Sequence, residues 1–137
     1  MPHTFKSPRR RLALIAHDGK KAEMVAFATF NREALSRFEL LATESTGDIL
    51  RTAVGLEVHS VLSGPSGGDA MIAAEIAQGN VRAIIFLMDP MTAHPHETDI
   101  GTLLRICNVH GVPIATNKSA ADLFMSSTLL LPPDRID

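Results

Sequence analysis

The run AIIFLM, Ala83 to Met88, is unbroken apolar sequence, and DPMTAHPHETD, Asp89 to Asp99, follows it at once. A strand with one wet face alternates apolar and polar residues, whereas a strand covered on both faces reads as a continuous apolar run. AIIFLM therefore predicts a doubly covered strand of a parallel sheet, ending in a polar loop.

Working outward, the same signature recurs at LALIA (Leu12 to Ala16), FELLAT (Phe38 to Thr43), VHSVLS (Val58 to Ser63) and VPIAT (Val112 to Thr116), with TLLLP (Thr128 to Pro132) as a candidate sixth strand. Helical periodicity fills the gaps: KKAEMVAFATFNREALS (Lys20 to Ser36), GDAMIAAEIAQG (Gly68 to Gly79) and TDIGTLLRICNVHG (Thr98 to Gly111), with TGDILRTA and SAADLFMS as shorter segments. Two of these helices stop at glycine. The βαβα order predicts a single-domain α/β fold: an open, mainly parallel twisted sheet of five to six strands with helices on both faces. Residues 1–10 read as a flexible basic tail and 11–137 as the domain. The run KSPRRR (Lys6 to Arg11) is read as a solvated end.

The bulk numbers narrow the function classes. A chain of 137 residues fits one domain with a real core, and its formal net charge of −2 offers no general attraction to nucleic acid or anionic lipid. Cys107 is the single cysteine, so no internal disulfide forms, and its setting LLRICNV reads as a buried helix face. No run reaches the roughly 20 apolar residues of a membrane span. The first residues lack the layout of a secretory signal. A cytoplasmic location is expected.

In open parallel sheets, ligands bind beyond the carboxyl ends of the strands. Five segments fall there: HDGKK, TESTG, SGPSGGD, DPMTAHPHETD and TNKSAAD. Thr43, Ser45 and Thr46 place three hydroxyls before a helix, where side-chain oxygens and free N–H groups together hold an anion, although capping would account for one of them. Lys21 supplies a cation or is simply solvated. No GxxxxGK[ST] run is present to support a nucleotide-triphosphate loop. Asp69, after GPSGG, is either a first-turn cap or a general base facing the cleft. His94, His96, Glu97 and Asp99 crowd HPHETD. The His-x-His spacing lacks a third ligand for a metal site, leaving proton transfer or oxyanion polarisation on one side and an exposed loop on the other. Asp89–Pro90 reads as a turn, His59 as structural, and His110 as a helix-end residue.

Taken together, LIAHDGKK, SGPSGGD, DPMTAHPHETD and PIATN resemble the methylglyoxal synthase family, in its order and spacing, from about Arg11 to about Pro133. The resemblance implies a lyase that converts dihydroxyacetone phosphate to methylglyoxal and inorganic phosphate through an enediolate, with no metal and no organic cofactor. It further implies a homohexamer, with inorganic phosphate as product and candidate inhibitor; the charge and hydropathy above point to neither nucleic acid nor membrane as a partner. Carried over residue by residue, the resemblance makes Asp69 the base, His96 the polarising histidine, Asp18 and Asp99 supporting carboxylates, and His17 an active-site histidine. Lys21, Thr43, Ser45 and Thr46 fall on phosphate-binding positions, with Ser63 and Gly64 closing the cradle alongside the N–H groups of residues 64–68. Two departures stand out. The family reads Thr-Gly-Thr-Thr-Gly where this chain has TESTG, so Glu44 brings a negative charge beside the expected phosphate. The family's C-terminal phosphate-binding arginine has only Arg135 as a counterpart. The same fold also resembles the regulatory domain of carbamoyl phosphate synthetase, a binding module without chemistry, and a nucleotide-ring cyclase domain, which is normally joined to a second domain.

Overall fold

The computed structural model describes residues 11–127. The expected basic tail, the candidate strand Thr128–Pro132 and Arg135 lie outside the described residues. Five parallel strands form one sheet: β1 (Arg11–Ala16), β2 (Glu39–Ala42), β3 (His59–Ser60), β4 (Ala83–Leu87) and β5 (Ile114–Ala115). Their order is β3-β2-β1-β4-β5. Six helices connect and cover them: α1 (Lys21–Phe30), α2 (Arg32–Leu35), α3 (Glu44–Ile49, continuing as a wider turn over Leu50–Val54), α4 (Gly68–Ala77), α5 (Glu97–His110) and α6 (Lys118–Met125).

The continuous apolar runs resolve into two interleaved faces, because successive side chains of a strand point to opposite sides. Leu12, Leu14 and Ala16 of β1, with Ala83, Ile85 and Leu87 of β4, pack beneath Met24 and Phe27 of α1, Leu50 and Ala121. Ala13 and Ile15, with Ile84 and Phe86, pack against Ile72 and Ile76 of α4 and Ile100, Leu103 and Cys107 of α5. β1 is paired on both sides, Ala13 opposite Leu41 and Ile84. A slip of one residue would exchange these two faces wholesale, so packing holds the register.

The edge strands are shorter than expected. VHSVLS contributes only His59 and Ser60, and VPIAT only Ile114 and Ala115. Among the described residues each pairs with one neighbour, and exposed His59 lies in the terminal strand of that order. Arg11 corrects the reading of KSPRRR as wholly solvated. It is the buried first residue of β1, and its guanidinium meets Glu39 of β2 at 3.2 Å and Glu75 of α4 at 3.3 Å.

The chain moves from β1 outward to β2 and β3, then crosses back to β4 on the other side of β1. At such a reversal the loops beyond β1 and β4 separate to opposite faces and leave a crevice. Polar segments of the sequence converge there. Among the described residues, no helix is long and apolar enough to cross a membrane.

Candidate active site

A cleft of about 350 Å³ opens beyond the carboxyl ends of the strands, lined from four loops. The loop after β1 supplies His17, Asp18 and Lys21; that after β2, Thr43 and Ser45; that after β3, Gly64 and Asp69; that after β4, Asp89, His94 and His96. The fifth expected segment, TNKSAAD, is not in the lining. Its Asn117 caps α6 instead, accepting from the Ala120 N–H at 2.9 Å.

SGPSGGD is built to bury Asp69. Gly67 is the N-cap of α4 at φ +107, a left-handed conformation that suits glycine. Gly68 then passes so close to the Leu62 carbonyl that a β-carbon there would collide with backbone. The path turns Asp69 inward. It is fully buried, and its carboxylate caps no N–H of α4. Asp69 thus stands in the first turn of α4 without making a capping hydrogen bond. Its Oδ2 lies 3.2 Å from His96 Nε2, in ion-pair range, yet neither carboxylate oxygen makes a well-formed hydrogen bond. Burial raises its pKa above the ordinary value, and the negative charge of Asp99 adds to the rise, while His96 and His94 oppose it. A buried, unsatisfied carboxylate is costly for folding and reactive toward a proton.

His17 is held from several sides. Its Nδ1 accepts the Asp89 N–H at 2.9 Å. The proton of the neutral ring therefore sits on Nε2, which is buried and unpartnered. Burial lowers its pKa to about 4, helped by His94 and His96. At neutral pH it is a neutral imidazole offering one N–H donor.

Lys21 Nζ donates to the Ala16 carbonyl at 2.6 Å and to Asp18 Oδ1 at 3.2 Å. The hydroxyl trio divides. Thr46 Oγ1 accepts the Ala16 N–H at 3.0 Å and the Thr43 hydroxyl at 3.2 Å, tying β1 to the start of α3. Ser45 is exposed and lines the cleft.

The structure thus brings His17, Asp18, Lys21, Thr43, Ser45, Gly64, Asp69 and His96 to one cleft. Thr46, Ser63 and Asp99 stand outside the lining. The Ser63 carbonyl accepts the N–H groups of Ser66 and Gly68, and Gly67 N–H goes to the Gly64 carbonyl. Pro65 has no N–H, so the expected cradle of N–H groups over residues 64–68 is reduced to that of Gly64. The Asp18 side chain is fully exposed and bonded to Lys21, with no histidine contact. Glu44 is exposed and outside the lining, so its charge faces solvent.

Two further cleft residues, Asp89 and His94, have no role in the family resemblance. Asp89 is the turn-former expected: its carboxylate accepts the Met91 N–H at 3.0 Å and the Thr92 hydroxyl at 2.8 Å. It is also a cleft residue whose main chain grips His17. His94 stacks on His17, ring centroids 3.7 Å apart and planes at 23°. The signal for both was their place in DPMTAHPHETD, where turn chemistry and site chemistry use the same residue types. Among the described residues, no group of three metal-ligating side chains comes together.

Comparison with known proteins bears on this arrangement. Residues 23–116 match the family model described as "MGS-like domain". The chain is similar to the methylglyoxal synthase of Ralstonia nicotianae, 55% identical over 92% of this chain and 93% of that protein. It is 58% identical to the methylglyoxal synthase of Cupriavidus pinatubonensis over 86% and 91%. A crystal structure of the methylglyoxal synthase from Elizabethkingia anophelis superposes with a TM-score of 0.85 at 37% identity, over 91% of this chain and 83% of that one. The chain belongs to the methylglyoxal synthase family.

Proposed function

We propose that this chain is a lyase that takes dihydroxyacetone phosphate to methylglyoxal and inorganic phosphate. The observation that carries the reading is Asp69, a fully buried carboxylate at the cleft with the His96 imidazole 3.2 Å away and no well-formed hydrogen bond of its own.

The substrate's phosphoryl oxygens bind to Lys21, to the Ser45 hydroxyl and to N–H groups in the first turn of α3, which lack partners within the helix. Thr43 lines that end of the site, and Thr46 braces it from behind through the Ala16 tie. Gly64 lets the chain close over it. At the other end, Asp69 takes a proton from the hydroxymethyl carbon next to the carbonyl. The electron pair moves onto the carbonyl oxygen, where the His17 Nε2–H and His96 act as donors to the enediolate. Elimination follows once the proton of the terminal hydroxyl has passed to the former carbonyl oxygen: the terminal oxygen then becomes the aldehyde, and its electron pair, moving through the carbon–carbon double bond, expels the ester oxygen. The carbon–oxygen bond breaks, phosphate leaves with the pair, and the remaining three-carbon enol aldehyde ketonises to methylglyoxal. Fixing the ester bond across the enediolate plane is the role of the phosphate contacts, and such positioning supplies up to about 7–11 kcal/mol in favourable cases. Asp99 raises the basicity of Asp69 from outside the cleft, and Asp18 steadies Lys21. Free phosphate competes for the same contacts. Six copies assemble in the cytoplasm, as the family likeness implies, and sedimentation of the purified protein tests the copy number.

Incubation of the purified protein with dihydroxyacetone phosphate tests the reading. Phosphate and methylglyoxal appear in equal amounts if it holds. Isomerisation to an aldehyde phosphate, or binding without any product, overturns it and favours a regulatory module.

A further inference from the structure

We infer that His94 is a positioning residue for His17: it holds the imidazole plane and, through Asp89, the tautomer with which His17 faces the cleft. The inference rests on the reading of His17 as a donor to the reacting oxygen.

Asp89 uses both of its main-chain polar groups on histidines. Its N–H goes to His17 Nδ1 at 2.9 Å, and its carbonyl oxygen stands 3.2 Å from His94 Nε2. A carbonyl can only accept, so His94 carries its proton on Nε2 and donates it. The two rings are thereby hung from one peptide residue, and they lie face to face at 3.7 Å. On another side, the Phe86 ring meets His17 at 5.1 Å and 72°, edge to face. His17 is packed between a ring in β4 and a ring in the loop after it, with its Nδ1 pinned. The one freedom left to it is rotation about its own bonds, and the stacked His94 ring opposes that. His96, whose ring centroid is 6.0 Å from that of His17, is too far to do the same. His94 itself lies against no other proposed reacting group at hydrogen-bond distance, which separates its role from those of His17 and His96.

Two variants test this. His94→Ala removes both the stack and the bond to Asp89; His94→Phe restores a ring without the donor. Turnover of dihydroxyacetone phosphate and the imidazole nitrogen resonances of His17 are measured for each, with the melting temperature as a folding control. The expected result for His94→Ala is a kcat lower by about 10- to 100-fold, the scale of a small misplacement in a site, with KM little changed and His17 no longer confined to the Nε2–H tautomer. His94→Phe recovers part of the kcat. Unchanged kcat and an unchanged His17 tautomer in a folded His94→Ala protein overturn the inference. A kcat loss that the phenyl ring fails to recover at all overturns the stacking part of it. The nitrogen resonances report on His17 without turnover, so a wild-type protein inactive on this substrate would sink the proposed function while leaving the positioning measurable.

Discussion

Asp69 sits where its charge is poorly accommodated, and two consequences can be measured. As a base it must be ionised. kcat/KM therefore falls as pH drops through its pKa, which burial and Asp99 hold above the ordinary value. Removing the Asp99 charge in Asp99→Asn lets that pKa relax downward, so the acid limb of the pH profile shifts to lower pH. A limb that stays in place shows that Asp99 has no electrostatic hold on the base. The second consequence concerns stability. A carboxyl whose folded pKa exceeds its unfolded value favours the folded state below the unfolded pKa, and that contribution is lost as pH rises through the folded pKa. Above its raised pKa the ionised Asp69 is a liability, so in alkaline buffer Asp69→Asn melts at a higher temperature than the wild type, and the gap narrows as the pH falls through that pKa toward the ordinary carboxylate range. An equal or lower melting temperature in alkaline buffer would mean that Asp69 finds compensation within the fold. Stability given up at a reactive site is a common pattern.

At the scale of elements, the site is a set of strand ends followed by tight turns. Gly68 shows how little room they have: its β-carbon position is occupied by the Leu62 carbonyl. Gly68→Ala must displace backbone on one side or the other, which destabilises the protein by about 1–3 kcal/mol, the scale of overpacking, and pulls Asp69 out of alignment. Denaturant unfolding measures the first effect and turnover the second; an active, equally stable variant contradicts this account of the loop. Much of this organisation was legible in the residues. The doubly apolar runs announced buried parallel strands, and the polar loops after them announced the rim, because burial and periodicity are local in sequence. The duties of individual side chains were less legible. Thr46 looked like a phosphate ligand and proves to be a tie to the Ala16 N–H. His94 reads as open between site chemistry and an exposed loop, and it is stacked on His17. Asp69 reads equally as cap or base, and only the turn at Gly67 and Gly68 shows that its side chain is buried rather than capping α4. Each of these depends on contacts between loops far apart in the chain, and a hydroxyl or imidazole carries no mark of which partner it will meet.

Across the whole molecule, two apolar layers sandwich the sheet, and the layer under α4 and α5 holds Cys107 at 1% exposure. Burial lifts its thiol to about pKa 11, so at pH 8 it reacts with a thiol reagent only when the core opens. Its labelling rate is expected to follow global unfolding, rising in denaturant in step with loss of helical signal. Rapid labelling in native buffer would mean that the α4–α5 layer opens locally. The same layer carries the proposed base: α4 starts at Gly68 and presents Asp69 from its first turn, so the core that shields Cys107 also shields the carboxylate. The claim on which the functional account turns is that this carboxylate removes the substrate's carbon-bound proton. Turnover of dihydroxyacetone phosphate by Asp69→Asn, measured beside its binding of inorganic phosphate, tests that most directly. The account predicts a fall in kcat of about 10²- to 10⁴-fold, the usual contribution of a general base, with phosphate binding preserved; near-wild-type turnover by the variant would contradict it.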